Sequence, residues 1–165
     1  MTKALFYSYL VLILLAVLQA IFYYPQLPET VASHFDGNGR PNGWSSKQTF
    51  FLTYYGLLLL MLGTLGGLPL LLRYVPVSLI NVPHRKYWLA PERKEQSLSI
   101  LRSKMGELGV VTLLFLISTL QLVINANLHP SKYFSSSTMW ILLGGYMIYL
   151  VGWILTFMRK FRVDA

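Results

Sequence analysis

Along this chain, apolar residues gather in four long uncharged blocks, Ala4–Tyr24, Phe50–Leu72, Leu108–Leu128 and Thr138–Met158, separated by three more polar stretches. Neither a strict alternation nor an amphipathic period of 3.6 runs through them. None contains Asp, Glu, Lys, Arg or His. Each is close to the roughly 20 residues that a helix rising 1.5 Å per residue needs to cross a hydrocarbon core of about 30 Å. Lipid offers no water to the backbone, so helices are the expected way to satisfy it. The pattern predicts an all-α integral membrane protein, a four-helix transmembrane bundle forming a single domain over residues 1–165. A loop of residues 25–49 joins the first two spans, and a longer one, 73–107, joins the second and third. Thr30-Val31-Ala32 imitates a signal-peptidase site, but the apolar run before it is too long for a signal peptide, so the first block is read as a retained span.

Composition supports the membrane reading. Hydrophobic residues make up 55% of the chain and charged ones only 12%, a balance unsuited to a water-soluble domain. The net charge of +8 raises nucleic acid as a partner until the basic residues are placed. One precedes the first block, two lie in 25–49, seven in 73–107, one in 129–137 and three follow Met158. An even number of spans puts both termini on one side. If that side is the cytoplasm, most of the basic residues face inward, as the positive-inside rule requires, and no nucleic-acid partner is needed. The expected location is therefore the bacterial cytoplasmic membrane, with both termini inside and the lipid bilayer as first partner. Tyr23, Tyr24, Phe50, Phe51 and Trp140 on one side, and Trp153 and Phe157 on the other, sit where interfacial aromatic anchors belong. With no cysteine, disulfides and thiolate chemistry are excluded.

Local signals refine the elements. Ser45 and Gln48 have capping-box spacing at the start of the second span, and Pro69 predicts a kink near its end. Gly56, Gly63 and Gly67 share a helical face, the last two as a GxxxG, which predicts close helix approach either within the bundle or in a homodimer. Gln19, Gln121 and Asn125 fall in the outer half of the bilayer. Their expected role is interhelical hydrogen bonding, with a polar pocket or path as the sharper alternative. No ionisable side chain lies within the four blocks, which argues against a coupled transporter. Neither HExxH, GxSxG nor paired intramembrane aspartates occur, so catalysis has no positive signal, and no cofactor is implied.

The first loop is too rich in turn residues to be a plain linker and predicts a compact outer cap. Leu27-Pro28-Glu29-Thr30 lacks the glycine of a sortase signal. Asp36-x-Asn38 begins like a calcium loop, but Arg40, Pro41 and Lys47 stand where an oxygen ligand, the glycine and the glutamate belong. Leu27-Pro28, Val31-x-x-His34-Phe35 and Gly39-x-Pro41-x-Gly43-Trp44-x-x-Lys47, between two spans, resemble the bacterial domain of unknown function that forms the N-terminal module of SdpI-type immunity proteins. Asn81-x-Pro83-x-x-x-Tyr87-Trp88-x-x-Pro91-Glu92 resembles the cytoplasmic loop of stand-alone members. The resemblance implies protection against a secreted toxic peptide, or retention of a repressor at the membrane. On this reading His34, Phe35, Asp36, Gly39, Pro41 and Trp44 are the ligand-binding candidates for an envelope peptide outside. Asn81, Tyr87, Trp88 and Glu92 are candidates for a cytoplasmic protein or lipid inside.

His34 near its ordinary pKa would make the cap pH-sensitive, while its plainer role is to hydrogen-bond a turn. His34, Asp36 and His129 draw a weak metal site on the same side, from which His84, on the other, is excluded. In the second loop Pro91 and Glu92 suit a first helical turn. Leu98, Leu101, Met105 and Leu108 then recur at helical spacing, predicting a helix that lies at the interface or runs on into the third span. The function expected from these residues is non-catalytic: an SdpI-like sensor, immunity or accessory protein. Its competitors are a small channel or carrier using the outer-half polar residues, and a metal-assisted envelope enzyme.

Overall fold

A computed structural model describes residues 2–129 and 134–163. Its elements are α1 (Lys3–Tyr23), β1 (Thr30–Phe35), β2 (Pro41–Ser46), α2 (Lys47–Met61), a short α3 (Arg85–Trp88), α4 (Lys94–Leu128) and α5 (Ser136–Lys160). Four helical stretches are long and apolar enough to cross a membrane: Lys3–Gln26, Lys47–Tyr74, Lys94–Leu128 and Ser136–Lys160. Their outer faces carry large bare apolar side chains, such as Ile141 and Ile148, both about three-quarters exposed. Surfaces of this kind are stable when lipid is the solvent.

α1, α2 and α4 form the packed part of the bundle. Tyr9, Leu12 and Ala16 of α1, Leu58 of α2 and Leu113 of α4 share one apolar cluster. Above it, Leu27, Val31, Phe50, Phe51, Leu120 and Ile124 join the helices to the hairpin. α5 contributes no buried residue. It lies along α4 through a Thr112–Tyr146 hydroxyl pair at 2.8 Å, a Phe115–Tyr146 stack and a bond from Trp153 Nε1 to the Lys104 carbonyl at 2.9 Å.

The close helix approach is real but uses other glycines than Gly56, Gly63 and Gly67. A Cβ at Gly56 or Gly63 would meet nothing within 4 Å, and one at Gly67 would reach only Leu62 of its own segment. The approach is built around Tyr9. Its ring lies against Gly66, its hydroxyl occupies the space a Cβ on Gly109 would need, and it donates to the Gly106 carbonyl at 3.1 Å. Such a bond contributes on the order of 1 kcal/mol, and only glycine lets the backbones come near enough to form it.

Pro69 disturbs the second span over a longer stretch than a point kink. The helix widens to a π-helical segment at Leu62–Gly67, with Leu68 N–H donating to the Gly63 carbonyl, and then tightens into a 3₁₀ segment, Leu68–Tyr74. Proline supplies no N–H and its ring crowds the preceding turn, so the backbone re-pairs by changing pitch on both sides.

The capping box at Ser45 is displaced by one residue. β2 consumes Ser45 in its pairing with Val31, and Ser46 caps α2 by accepting from Thr49 N–H at 3.1 Å. In the second loop, Pro91 and Glu92 lie in a turn and α4 begins at Lys94. The turn is held by Ser97 Oγ donating to the Trp88 carbonyl at 2.6 Å. From there α4 runs unbroken for 35 residues, about 50 Å, so its first turns extend beyond a bilayer core. The apolar residues of those turns pack against protein. Leu98 and Leu101 are buried with Ile80, Val82, Leu89 and Phe161 in a small core of their own.

Candidate functional site

The loop between the first two spans is an antiparallel hairpin, and each of its peculiar residues has a structural cause. Asp36 opens the turn. Its backbone N–H donates to the Arg40 carbonyl at 2.9 Å, while its Oδ1 accepts from Asn38 N–H at 2.8 Å and Arg40 N–H at 2.9 Å. Gly39 has φ +79°, a region that side chains disfavour, and a Cβ there would run into the Phe134 carbonyl. Both facts require glycine. Gly39 also accepts from Phe134 N–H at 3.0 Å, so the hairpin tip is bonded to the segment that leads into α5.

Two irregularities interrupt the register. Ala32 opposes Trp44, His34 opposes Gly43 and Phe35 opposes Pro41, which leaves Ser33 and Asn42 as extra residues on opposite strands. Gly43 makes room for His34: a Cβ there would lie 3.0 Å from the His34 Cβ and 3.1 Å from Nδ1. The imidazole is exposed, and its Nδ1 shares a hydrogen bond with Ser33 Oγ at 3.2 Å.

Lys47 locks the base of the hairpin. Although cationic, it is 8% exposed. Its Nζ pairs with Glu29 Oε1 at 2.9 Å, donates to the Leu27 carbonyl at 3.2 Å and lies 4.9 Å from the Tyr24 ring centre, while its backbone N–H donates to Glu29 O at 2.8 Å. A buried ammonium needs such partners, and here three groups face it.

The outer edge of β1 is closed by α4. The Asn127 carboxamide, 5% exposed, accepts from Ala32 N–H at 2.7 Å and donates to Ala32 O at 2.9 Å and Val123 O at 3.0 Å. The residues alone did not single out Asn127. Its signal was a second asparagine two positions beyond Asn125, on the opposite face of the last helical turn.

Between the hairpin and α5 lies an open cleft of about 380 Å³. His34, Phe35 and Asp36 line one wall, and Phe134, Met139 and Trp140 the other. Phe35 stacks on Phe134, with ring centres 4.8 Å apart, and Trp140 is 64% exposed. Three of the six predicted cap residues therefore meet at this cleft. The other three stand apart: Gly39 serves the turn, Pro41 pairs with Phe35, and Trp44, half exposed, lies opposite Ala32. His129 caps the end of α4 through its backbone. Among the described residues, no group of three His, Asp, Glu or Cys side chains is arranged to hold a metal ion, so His34, Asp36 and His129 do not form the site drawn for them. Lys132, one of the three basic residues on this side, lies outside the described residues.

The polar residues within the apolar blocks do meet. Gln19 Nε2 donates to Gln121 Oε1 at 2.9 Å and to the Ile117 carbonyl at 3.3 Å, and Gln121 Nε2 donates to Asn125 Oδ1 at 2.8 Å. The run ties α1 to α4. Gln19 Oε1 is buried and has no partner among the described residues.

At the other end of the bundle, Trp88 Nε1 donates to the Phe161 carbonyl at 2.8 Å. Aromatic contacts continue from Trp153 through Phe157 and Phe161 to Trp88 and Tyr87, and Arg93 lies 4.0 Å from the Tyr87 ring centre. Trp88 is thus committed to an internal contact, while Tyr87, Asn81 and Glu92 are exposed. A bundle carrying a structured hairpin at one end and a loop core at the other is a membrane architecture, and part of it matches a known domain. Residues 11–59, covering most of α1, the hairpin and most of α2, match the model of a domain of unknown function (DUF1648). No curated protein and no solved structure matches the chain. The chain is a helical membrane protein carrying a domain of unknown function.

Proposed function

We propose that this protein is an SdpI-like sensor or immunity-type protein of the cytoplasmic membrane, with the hairpin outside, both termini inside, and an amphipathic envelope peptide as the ligand of the hairpin–α5 cleft. The observation that carries the reading is the cleft itself. A stacked Phe35–Phe134 pair and an exposed Trp140 offer apolar anchorage, while His34 and Asp36 supply a polar edge. Arrangements of this kind suit a ligand that is apolar on one side and polar on the other. The orientation follows from the excess of Lys and Arg at the end that carries 73–107 and the residues after Met158.

α5 makes a signalling role physically reasonable. Its N-terminal turns form the cleft, its C-terminal end carries Phe157, and Phe161 just beyond is bonded to Trp88 in the inner loop. Because α5 buries no residue of its own, a shift along α4 disturbs no buried α5 side chain. Ligand at one end would then be felt by the loop at the other, where Tyr87 and Glu92 are accessible to a cytoplasmic protein.

The test is sensitivity of cells lacking the gene to a panel of membrane-active peptides, with complementation by wild type, Trp140→Ala and His34→Ala. Loss of protection in the knockout, restored by wild type but not by Trp140→Ala at equal protein level, is the expected result. Equal sensitivity of knockout and wild type across the panel would remove the immunity reading.

A further inference from the structure

We infer that the cleft beside α3 is a seat for a phosphate ester, supplied by the headgroup of an anionic phospholipid. The cleft has a volume of about 760 Å³ and lies between Val77 on one side and the consecutive His84, Arg85, Lys86 and Tyr87 on the other. Among the described residues, no cation of this cleft is in an ion pair. The ion pairs of the described residues are Lys47–Glu29 and Lys104–Glu107, and neither involves this cleft. Lys86 is exposed and makes no hydrogen bond or ion pair among the described residues.

The geometry fixes the Arg85 charge instead of leaving it to wander. Arg85 Nη2 donates to the Val77 carbonyl at 2.9 Å, which ties the guanidinium across the cleft and leaves its other N–H groups for an anion. His84, at φ 50°, is the one non-glycine residue with positive φ among the described residues. That left-handed turn directs the three basic residues into a single short arc, and Tyr87 N–H and Trp88 N–H both return to the His84 carbonyl. The segment that supplies Val77 also carries exposed apolar surface. Leu79, in the same turn as Val77, is 74% exposed. A fixed guanidinium and an ammonium close in the chain to the bare Leu79 match the two halves of a phospholipid: phosphate in the cleft, chains along Leu79. Free phosphate shares the first half of that chemistry and not the second. This site is independent of the hairpin cleft and of any peptide ligand.

The experiment uses the full chain in detergent, with bound lipid counted by native mass spectrometry after addition of phosphatidylglycerol, phosphatidylcholine or inorganic phosphate. Phosphatidylglycerol is expected to bind more tightly than phosphatidylcholine. Removal of both charges, Arg85→Gln with Lys86→Gln, should weaken it about thirtyfold, about fivefold for each basic residue. Lys86→Gln alone keeps the bond to Val77 and therefore the local fold, and should show its fivefold share. Arg159→Gln with Lys160→Gln, the same charge change at the end of α5, should leave phosphatidylglycerol binding unaltered. Inorganic phosphate that displaces the lipid only at far higher concentration supports the lipid as the source, whereas displacement at comparable concentration overturns it. Equal retention of the two lipids, or equal weakening by the Arg159/Lys160 variant, overturns the site.

Discussion

The Asn127 side chain meets both backbone groups of Ala32, taking its N–H at 2.7 Å and giving to its carbonyl at 2.9 Å, as a neighbouring strand would. Ala32 is fully buried, so neither group has water as an alternative. A two-stranded hairpin is marginal by itself, and this one borrows its third partner from the end of a membrane helix. Asn127→Ala should therefore lower stability by about 2 kcal/mol, the cost of orphaning buried backbone groups. Asn127→Asp should fare no better, since a carboxylate would face the Ala32 carbonyl. Thermal unfolding in detergent, together with the rate of tryptic cleavage after the buried Lys47, measures both.

Lys47 and Glu29 form an unequal pair. The lysine side chain is 10% exposed and the glutamate 86%, so the carboxylate is largely solvated and its pairing contributes little. Glu29→Gln is expected to shift the unfolding temperature by no more than a degree or so, roughly the effect of a few tenths of a kcal/mol. Lys47→Met removes the donor to the Leu27 carbonyl and should destabilise by about 1–3 kcal/mol. A larger loss from Glu29→Gln than from Lys47→Met would show that the ion pair, not burial, holds the base of the hairpin.

The glycines sort into two groups by what surrounds them. Gly109→Leu would drive a side chain into the Tyr9 hydroxyl and is expected to separate α1 from α4, with loss of folded protein. Gly56→Ala and Gly63→Ala add a methyl to open space and should be tolerated as monomers in detergent. Tyr9→Phe keeps the ring and loses only the bond to Gly106, about 1 kcal/mol. Thermal stability of this series separates packing from hydrogen bonding.

Orientation can be read by labelling, because the chain has no cysteine of its own. Ser97 is fully buried and is a poor place for a probe, whereas Asn42 and Glu95 are exposed. A membrane-impermeant thiol reagent applied to intact cells should label Asn42→Cys and spare Glu95→Cys. The reverse pattern would place the hairpin in the cytoplasm.

Four spans were legible in the sequence because lipid demands a long uncharged run and nothing shorter suffices. The glutamine and asparagine cluster could also be found from residues alone, since Gln19, Gln121 and Asn125 sit at one depth and polar groups in lipid pair with one another. His34, Phe35 and Asp36 were legible for a different reason: turn residues and aromatics crowd a short loop. The second wall of their cleft was not, because Phe134 and Trp140 lie about a hundred positions further on.

Sequence by itself thus determined how many segments are long and apolar enough to cross a bilayer, where each falls and which end carries the positive charge, all of which depend on each segment's exchange with lipid or water. Tertiary structure decided which helices touch, that Tyr9 rather than a GxxxG face sets the approach, that Asn127 closes the hairpin, and that the inner loop folds on its own core. Transfer into lipid is a sum over residues near one another in the chain. Packing depends on atoms brought together from distant parts of it, and no local pattern records that meeting.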